Sequence, residues 1–103
     1  MSITRIGAGK RMSEAVIHGG KAYLAGFVAD KTVGKSVKEQ TADILAQIDA
    51  TLKQAGTDKT KILKANIWLT DIGKWAEMNE AWDAWVVAGQ TPARATVEAA
   101  LAN

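Results

Sequence analysis

Cysteine is absent, and histidine and proline occur once each, as His18 and Pro92. Without cysteine the chain forms no disulfide, no thiolate metal site and no cysteine nucleophile. A single histidine makes no metal cluster by itself, and no close carboxylate group has ligand spacing, so no metal is expected. No apolar run approaches the roughly 20 residues of a membrane span. The start, Met1-Ser2-Ile3-Thr4-Arg5, lacks the apolar stretch of a secretory signal. The expectation is a soluble cytoplasmic protein that engages no membrane. Thirteen basic and eleven acidic residues leave a net charge of only +2. The lysines are scattered, and no basic run is interleaved with aromatics as in a nucleic-acid footprint, so no nucleic-acid partner is expected.

What the sequence does have is apolar mass. Of its 103 residues 48% are hydrophobic, and four are tryptophan. That length suits one domain. A domain so small buries a lower fraction of its surface than a larger one. The surplus therefore points either to a tight core or to an interface with another copy.

The order of elements follows from pattern. A short strand is expected near Ile3 to Ile6. Ser13 to Ala29 reads as a hairpin, with Ala15-Val16-Ile17 and Ala22-Tyr23-Leu24-Ala25 as apolar runs. Gly19-Gly20 between them supplies the positive φ angles of a two-residue turn. Asp30 to Lys35 is a polar loop. Ser36-Val37-Lys38-Glu39 is a capping box that starts a helix. Ala42, Leu45, Ile48, Leu52 and Ala55 recur every three or four residues on one face of it. Asp43, Gln47 and Lys53 fall off that face and are expected to meet water. Gly56 ends the helix.

Ile62 to Thr70 is the strongest strand, with Ala65, Ile67 and Leu69 alternating against Lys64, Asn66 and Trp68. Asp71 is an N-cap candidate. Trp75, Met78, Trp82, Trp85 and Val86 then mark a second helix, expected to run to about Ala88 before Gly89. Its tryptophan stripe reads as core or subunit interface rather than a base-stacking platform. Pro92 opens a last strand. The predicted order is β-β-β-α-β-α-β, an α+β domain with two helices on one face of a mixed sheet.

Arg94, Thr96 and Glu98 share one face of the last strand, and Ala93, Ala95, Val97 and Ala99 share the other. If the helices cover one sheet face, the charged row belongs on the opposite face, where it suits a cleft. Arginine is a permanently charged planar fork that matches a carboxylate with two hydrogen bonds. Thr96 is able to bond a substrate or a water. Glu98 is able to neutralise Arg94 or to handle protons. The same row is also compatible with a solvated strand face carrying an Arg–Glu pair. His18 reads as an exposed turn residue. Gly7-Ala8-Gly9-Lys10 lacks the spacing of a phosphate loop.

Four segments carry a family resemblance: Leu24-Ala25-Gly26, Ala65 to Ile72, Met78-Asn79-Glu80-Ala81-Trp82 and, most specific, Thr91-Pro92-Ala93-Arg94-Ala95-Thr96-Val97-Glu98. In this order the chain resembles the Rid family (reactive intermediate deaminase, YjgF-type) from about Arg11 to Glu98. The resemblance implies a chorismate-mutase-like fold and a homotrimer with sites in clefts between subunits. In deaminating members the arginine matching Arg94 holds the carboxylate of a 2-imino or 2-amino-enoic acid. Water then hydrolyses the imine to a 2-keto acid and ammonia. No cofactor is implied, because an iminium carbon is already electrophilic and orientation beside a positioned water suffices. On this reading Arg94, Thr96, Gly26 and Asn79 bind the substrate, and Arg94 and Glu98 are the catalytic candidates.

Three departures qualify the match. Met12 stands where deaminating members often carry Tyr, and Ala25 where they carry Ser. The sequence ends at Asn103, whereas family members continue into a further strand bearing a carboxylate. The expectation is a single Rid-type domain over 1–103 without that strand. Two other functions stay open: a regulatory module that binds a carboxylate metabolite without turnover, and an endoribonuclease. The missing basic-aromatic track and the lack of a second histidine speak against the latter.

Overall fold

The computed structural model describes residues 2–102. Met1 and Asn103, the ends of the expected domain, lie outside the described residues. Strands β1 (Thr4–Ile6), β2 (Ala15–His18) and β3 (Lys21–Leu24) form an antiparallel sheet in that order. Gly19 at φ 60° and Gly20 at φ 77° make the left-handed two-residue turn between β2 and β3. That turn matches the twist of the paired strands. It sets Ala15 opposite Leu24 and Ile17 opposite Ala22.

Helix α1 (Val37–Gln54) starts at Ser36, whose hydroxyl oxygen accepts from the Glu39 N–H at 3.1 Å. Glu39 reaches back to the Ser36 hydroxyl. At the other end Gly56 sits at φ 82°. Its N–H donates to the Lys53 carbonyl, and the Thr57 N–H donates to the Leu52 carbonyl. Those two bonds form a Schellman motif, which satisfies carbonyls that the helix leaves free.

Strands β4 (Lys64–Leu69) and β5 (Ala93–Glu98) pair in parallel, with Ala65 opposite Arg94, Ile67 opposite Thr96 and Leu69 opposite Glu98. The connection between them is helix α2 (Trp75–Trp85), entered through a 3-10 turn over Ile72–Lys74. Asp71 caps that turn, accepting from the Gly73 N–H at 2.8 Å, rather than capping α2 itself. The helix also stops three residues short of the expected Ala88. Val86 is already extended, at ψ 155°, and Gly89 at φ 82° turns the chain back toward β5.

The α+β architecture is the expected one: two helices packed with antiparallel and parallel strands. The strands are hydrogen-bonded as two sets, β1-β2-β3 and β4-β5. The core joins α1, α2 and β4 through Leu45, Leu69, Met78 and Trp82, with Ile48, Ile67 and Trp85 packed against it. The tryptophan stripe of α2 divides accordingly, for Trp82 is buried, Trp85 half-buried and Trp75 exposed. The Trp85 indole N–H donates to Asp49 of α1 at 2.9 Å, so its half-burial leaves its polar atom satisfied.

The Gly56→Ala variant tests the end of α1. A Cβ at Gly56 meets no atom within 4 Å, so the penalty is that of the left-handed backbone, about 1–2 kcal/mol. Thermal unfolding followed by circular dichroism should show a midpoint lower by roughly 4–8 °C per kcal/mol. An unchanged midpoint would mean that the helix end relaxes to another conformation.

Candidate functional site

The charged row of β5 faces the helices. Arg94 and Thr96 are half-buried, whereas Ala93, Ala95 and Val97 are exposed. Across the ladder the same holds for β4: Ala65, Ile67 and Leu69 face inward, and Asn66 and Trp68 face outward. This reverses the expected assignment of faces. Alternation separates two faces but does not say which one is covered. The small Ala93 and Ala95 look like core positions, yet the long apolar stem of Arg94 is what runs beneath α2.

There Arg94 meets three residues of one helix edge. Its Nη1 donates to Asn79 Oδ1 at 2.7 Å and lies 3.9 Å from Met78 Sδ. The guanidinium carbon sits 5.2 Å from the centroid of the Trp82 ring, a cation–π distance. Residues 78, 79 and 82 come together because positions three and four apart on a helix are neighbours. Arginine has only donors, so it fixes the amide of Asn79 with its oxygen inward and leaves the Asn79 NH2 free to donate elsewhere. Among the described residues no carboxylate pairs with Arg94; the ion pairs are Lys38–Glu80 and Lys74–Glu77. The half-buried cation is thus held by a neutral amide and an aromatic ring.

Thr96 is two residues further along the same face, and its Oγ1 is buried without a hydrogen-bond partner among the described residues. Glu98 does not neutralise Arg94. Its Oε1 accepts from the Ile72 N–H at 3.0 Å, which ties the end of β5 to the turn before α2. Four residues along a strand separate the Glu98 and Arg94 backbones by about 13 Å, and the two side chains bond to different partners, Ile72 and Asn79.

Gly26 lies elsewhere, in the connection between β3 and α1. It lines a depression of about 330 Å³ together with Met12, Glu14, Phe27, Val28, Asp30 and Gln47. None of Arg94, Thr96, Glu98 or Asn79 lines it. The structure therefore brings Arg94 and Asn79 into contact, keeps Thr96 and Glu98 on the Arg94 face of β5, and sets Gly26 apart in a separate depression within one protomer.

Part of this lining is held from α1. Asp43 Oδ2 accepts from the backbone N–H groups of Asp30, Lys31 and Thr32 at 2.8, 2.9 and 3.1 Å, and from the Thr32 hydroxyl at 2.8 Å. Gln47 donates to Asp43 Oδ1 and to the Val28 carbonyl. Asp43 and Gln47 were expected simply to meet water. Their i, i+4 spacing on the side of α1 away from the core was the one available sign that they act together. The Thr32 hydroxyl, then the Gln47 amide and the backbone N–H groups, hold the Asp43 carboxyl far below the usual carboxylate range, against the upward push of desolvation.

The model of the family described as endoribonuclease L-PSP matches residues 2–103. The RutC family protein YoaB of Escherichia coli is 48% identical over 103 residues, which are 100% of this chain and 89% of that protein. A RutC family protein of Haemophilus influenzae is 45% identical with the same coverage. The crystal structure of NMB1025 from Neisseria meningitidis, a member of the YjgF protein family, superposes with a TM-score of 0.96 at 52% identity. The superposition covers 100% of this chain and 85% of that one. YyfA from Yersinia pestis, of the conserved Rid protein family, gives 0.82 at 34% identity, covering 92% and 80%. The chain belongs to the YjgF/RutC family.

The match spans all four segments that carry the resemblance to Rid proteins, including the stretch from Thr91 to Glu98 that forms β5. Membership fixes the fold and the ancestry of the Arg94 strand. No helix of the described residues is long and apolar enough to cross a membrane.

The depressed carboxyls make a pH prediction. Asp58, whose carboxylate accepts from the hydroxyl and the N–H of Thr60, is likewise lowered from its ordinary 3.8. A carboxyl whose folded pKa lies below its unfolded one stabilises the fold above the unfolded value and loses that contribution as pH falls through the folded value. The melting temperature should therefore hold from neutrality to about pH 5 and fall below about pH 4. Asp43→Asn should lower the melting temperature at neutrality and flatten the acid limb. An acid limb identical to that of the unaltered protein would remove Asp43 from this role.

Proposed function

We propose that the protein hydrolyses reactive 2-imino or enamine acids to 2-keto acids and ammonia, without a cofactor. The observation that carries this reading is the half-buried guanidinium of Arg94, which among the described residues has no carboxylate partner and is oriented by Asn79 and Trp82. Such a group favours an anion, and its planar fork favours a carboxylate. The NH2 of Asn79, without a partner among the described residues, supplies a further donor beside it. Thr96 is kept as a substrate-binding candidate on the same face; its Oγ1 is buried within the protomer and has no partner among the described residues.

With the carboxylate held, the imine carbon next to it is held too. Water adds to that carbon, giving a carbinolamine. The nitrogen takes up a proton and leaves as ammonia while the C=O bond forms, so one water is consumed for each ammonia released. Iminium carbon is electrophilic enough that orientation is the main requirement. Glu98 is not required for this step, and its Oε1 is engaged by the Ile72 N–H. RNA cleavage, the activity in the family model's description, would call for an acid–base pair and a phosphate-binding track, neither of which surrounds Arg94.

Assembly belongs to the same reading. The outward face of β4 and β5 presents Trp68 and Val97, 52% and 48% exposed, beside Ala93 and Ala95. An apolar sheet face of this kind suits contact with other copies. We take the working form to be a homotrimer with its sites between subunits, an arrangement that lets the Arg94 and Gly26 regions of different protomers meet.

Two measurements test the reading. The first is ammonia release from a 2-imino acid generated in place by an amino-acid oxidase. Arg94→Lys keeps the charge but loses the two-donor fork, so kcat/KM should fall roughly ten- to a hundred-fold. Near-unaltered hydrolysis by that variant would remove Arg94 from the mechanism, and absence of hydrolysis by the unaltered protein would leave ligand capture alone. The second is sedimentation at micromolar concentration. A trimer is expected, with Trp68→Lys shifting the population to monomers. A stable monomer of the unaltered protein would contradict the assembly.

A further inference from the structure

The connection 25–36 between β3 and α1 contains no strand or helix of its own. A segment of that length stays in place only if its backbone groups find partners. Three consecutive N–H groups, those of Asp30, Lys31 and Thr32, converge on a single oxygen of Asp43, and the Thr32 hydroxyl joins them. Consecutive N–H groups aimed at one point form an anion-binding concavity. Here an internal carboxylate fills it. Gln47 extends the same support to the Val28 carbonyl at 2.9 Å. The segment so held, from Val28 to Asp30, lines the depression together with Gly26 and Met12.

We infer that Asp43 is a positioning residue for substrate binding: its carboxylate holds the Asp30–Thr32 turn and thereby sets the width of the Gly26 depression. The inference rests on the functional reading above. It also assigns the depression to the apolar end of the substrate. Glu14 and Asp30 line it without a basic residue, and would repel a carboxylate, while Met12, Phe27 and Val28 offer apolar surface. Asp43 itself does not line the depression. It acts through the wall, so its loss weakens binding more than turnover.

The test uses Asp43→Ala and Thr32→Val in the full chain, with two readouts. Hydrogen exchange at the amides of Asp30, Lys31 and Thr32 reports the wall directly. In Asp43→Ala it should quicken at least about tenfold, the loss of one charge-assisted acceptor. Added formate, a free carboxylate of the size of the missing group, should slow it again. The imine-hydrolysis assay should show KM raised about tenfold and kcat within about twofold, the pattern of a lost binding contribution. Thr32→Val removes only one of the four donors. It should move both readouts in the same direction by a few-fold, and it carries the test should Asp43→Ala fail to fold. Unchanged exchange, or quickened exchange with unchanged KM, overturns the inference. If the unaltered protein releases no ammonia, the functional reading fails instead, and the exchange arm with formate still decides whether Asp43 holds the wall.

Discussion

The packing of one edge of α2 over the β4–β5 pair governs most of what this molecule presents. Met78 is fully buried, and Trp82 nearly so, against Leu45 of α1 and Leu69 of β4. Burial of two such side chains contributes several kcal/mol at about 25 cal/mol per Å² of apolar surface. The same edge, seen from β5, is the surface on which Arg94 lies. Core and candidate site are thus two sides of one contact. A substitution that shifts Trp82 moves the guanidinium as well.

That arrangement explains how a cation is tolerated partly out of water. A buried charge is costly unless it is paired or hydrogen-bonded. Arg94 keeps one strong hydrogen bond, to Asn79, and the face of an indole, while the rest of its fork has no carboxylate among the described residues. Full internal pairing would steady the fold further but would leave nothing to attract an anion. Surface ion pairs contribute little here: Lys38–Glu80 links the two helices across solvent-exposed side chains, where such pairs are worth about 0–1 kcal/mol.

The other side of α1 shows electrostatics used for construction. Asp43 gathers four donors from one loop, and the bonds favour its ionised form strongly. The contrast with Arg94 is chemical. Asp43 has its acceptor capacity largely filled from within the chain and holds a wall in place; Arg94 has donors to spare.

Local chemistry was written plainly in the sequence. Gly19-Gly20, the Ser36–Glu39 capping box and Gly56 each satisfy or shape backbone within a few residues, so turn, helix start and helix end were legible without the fold. The motif around Arg94 identified the strand, and alternation grouped Arg94, Thr96 and Glu98 correctly. Which face of that strand the helices cover was decided only in three dimensions, because period-two alternation is symmetric between faces and alanines pack as readily in water as in a core. The partners of Arg94 depended on where α2 crosses β5, and those of Asp43 on how residues 28–32 fold back over α1. Contacts between residues far apart in the chain leave no local periodicity to read. The sequence alone therefore determined the elements, the ends of α1 and the family, while tertiary packing decided where α2 ends and which charged groups were left with bonds to offer.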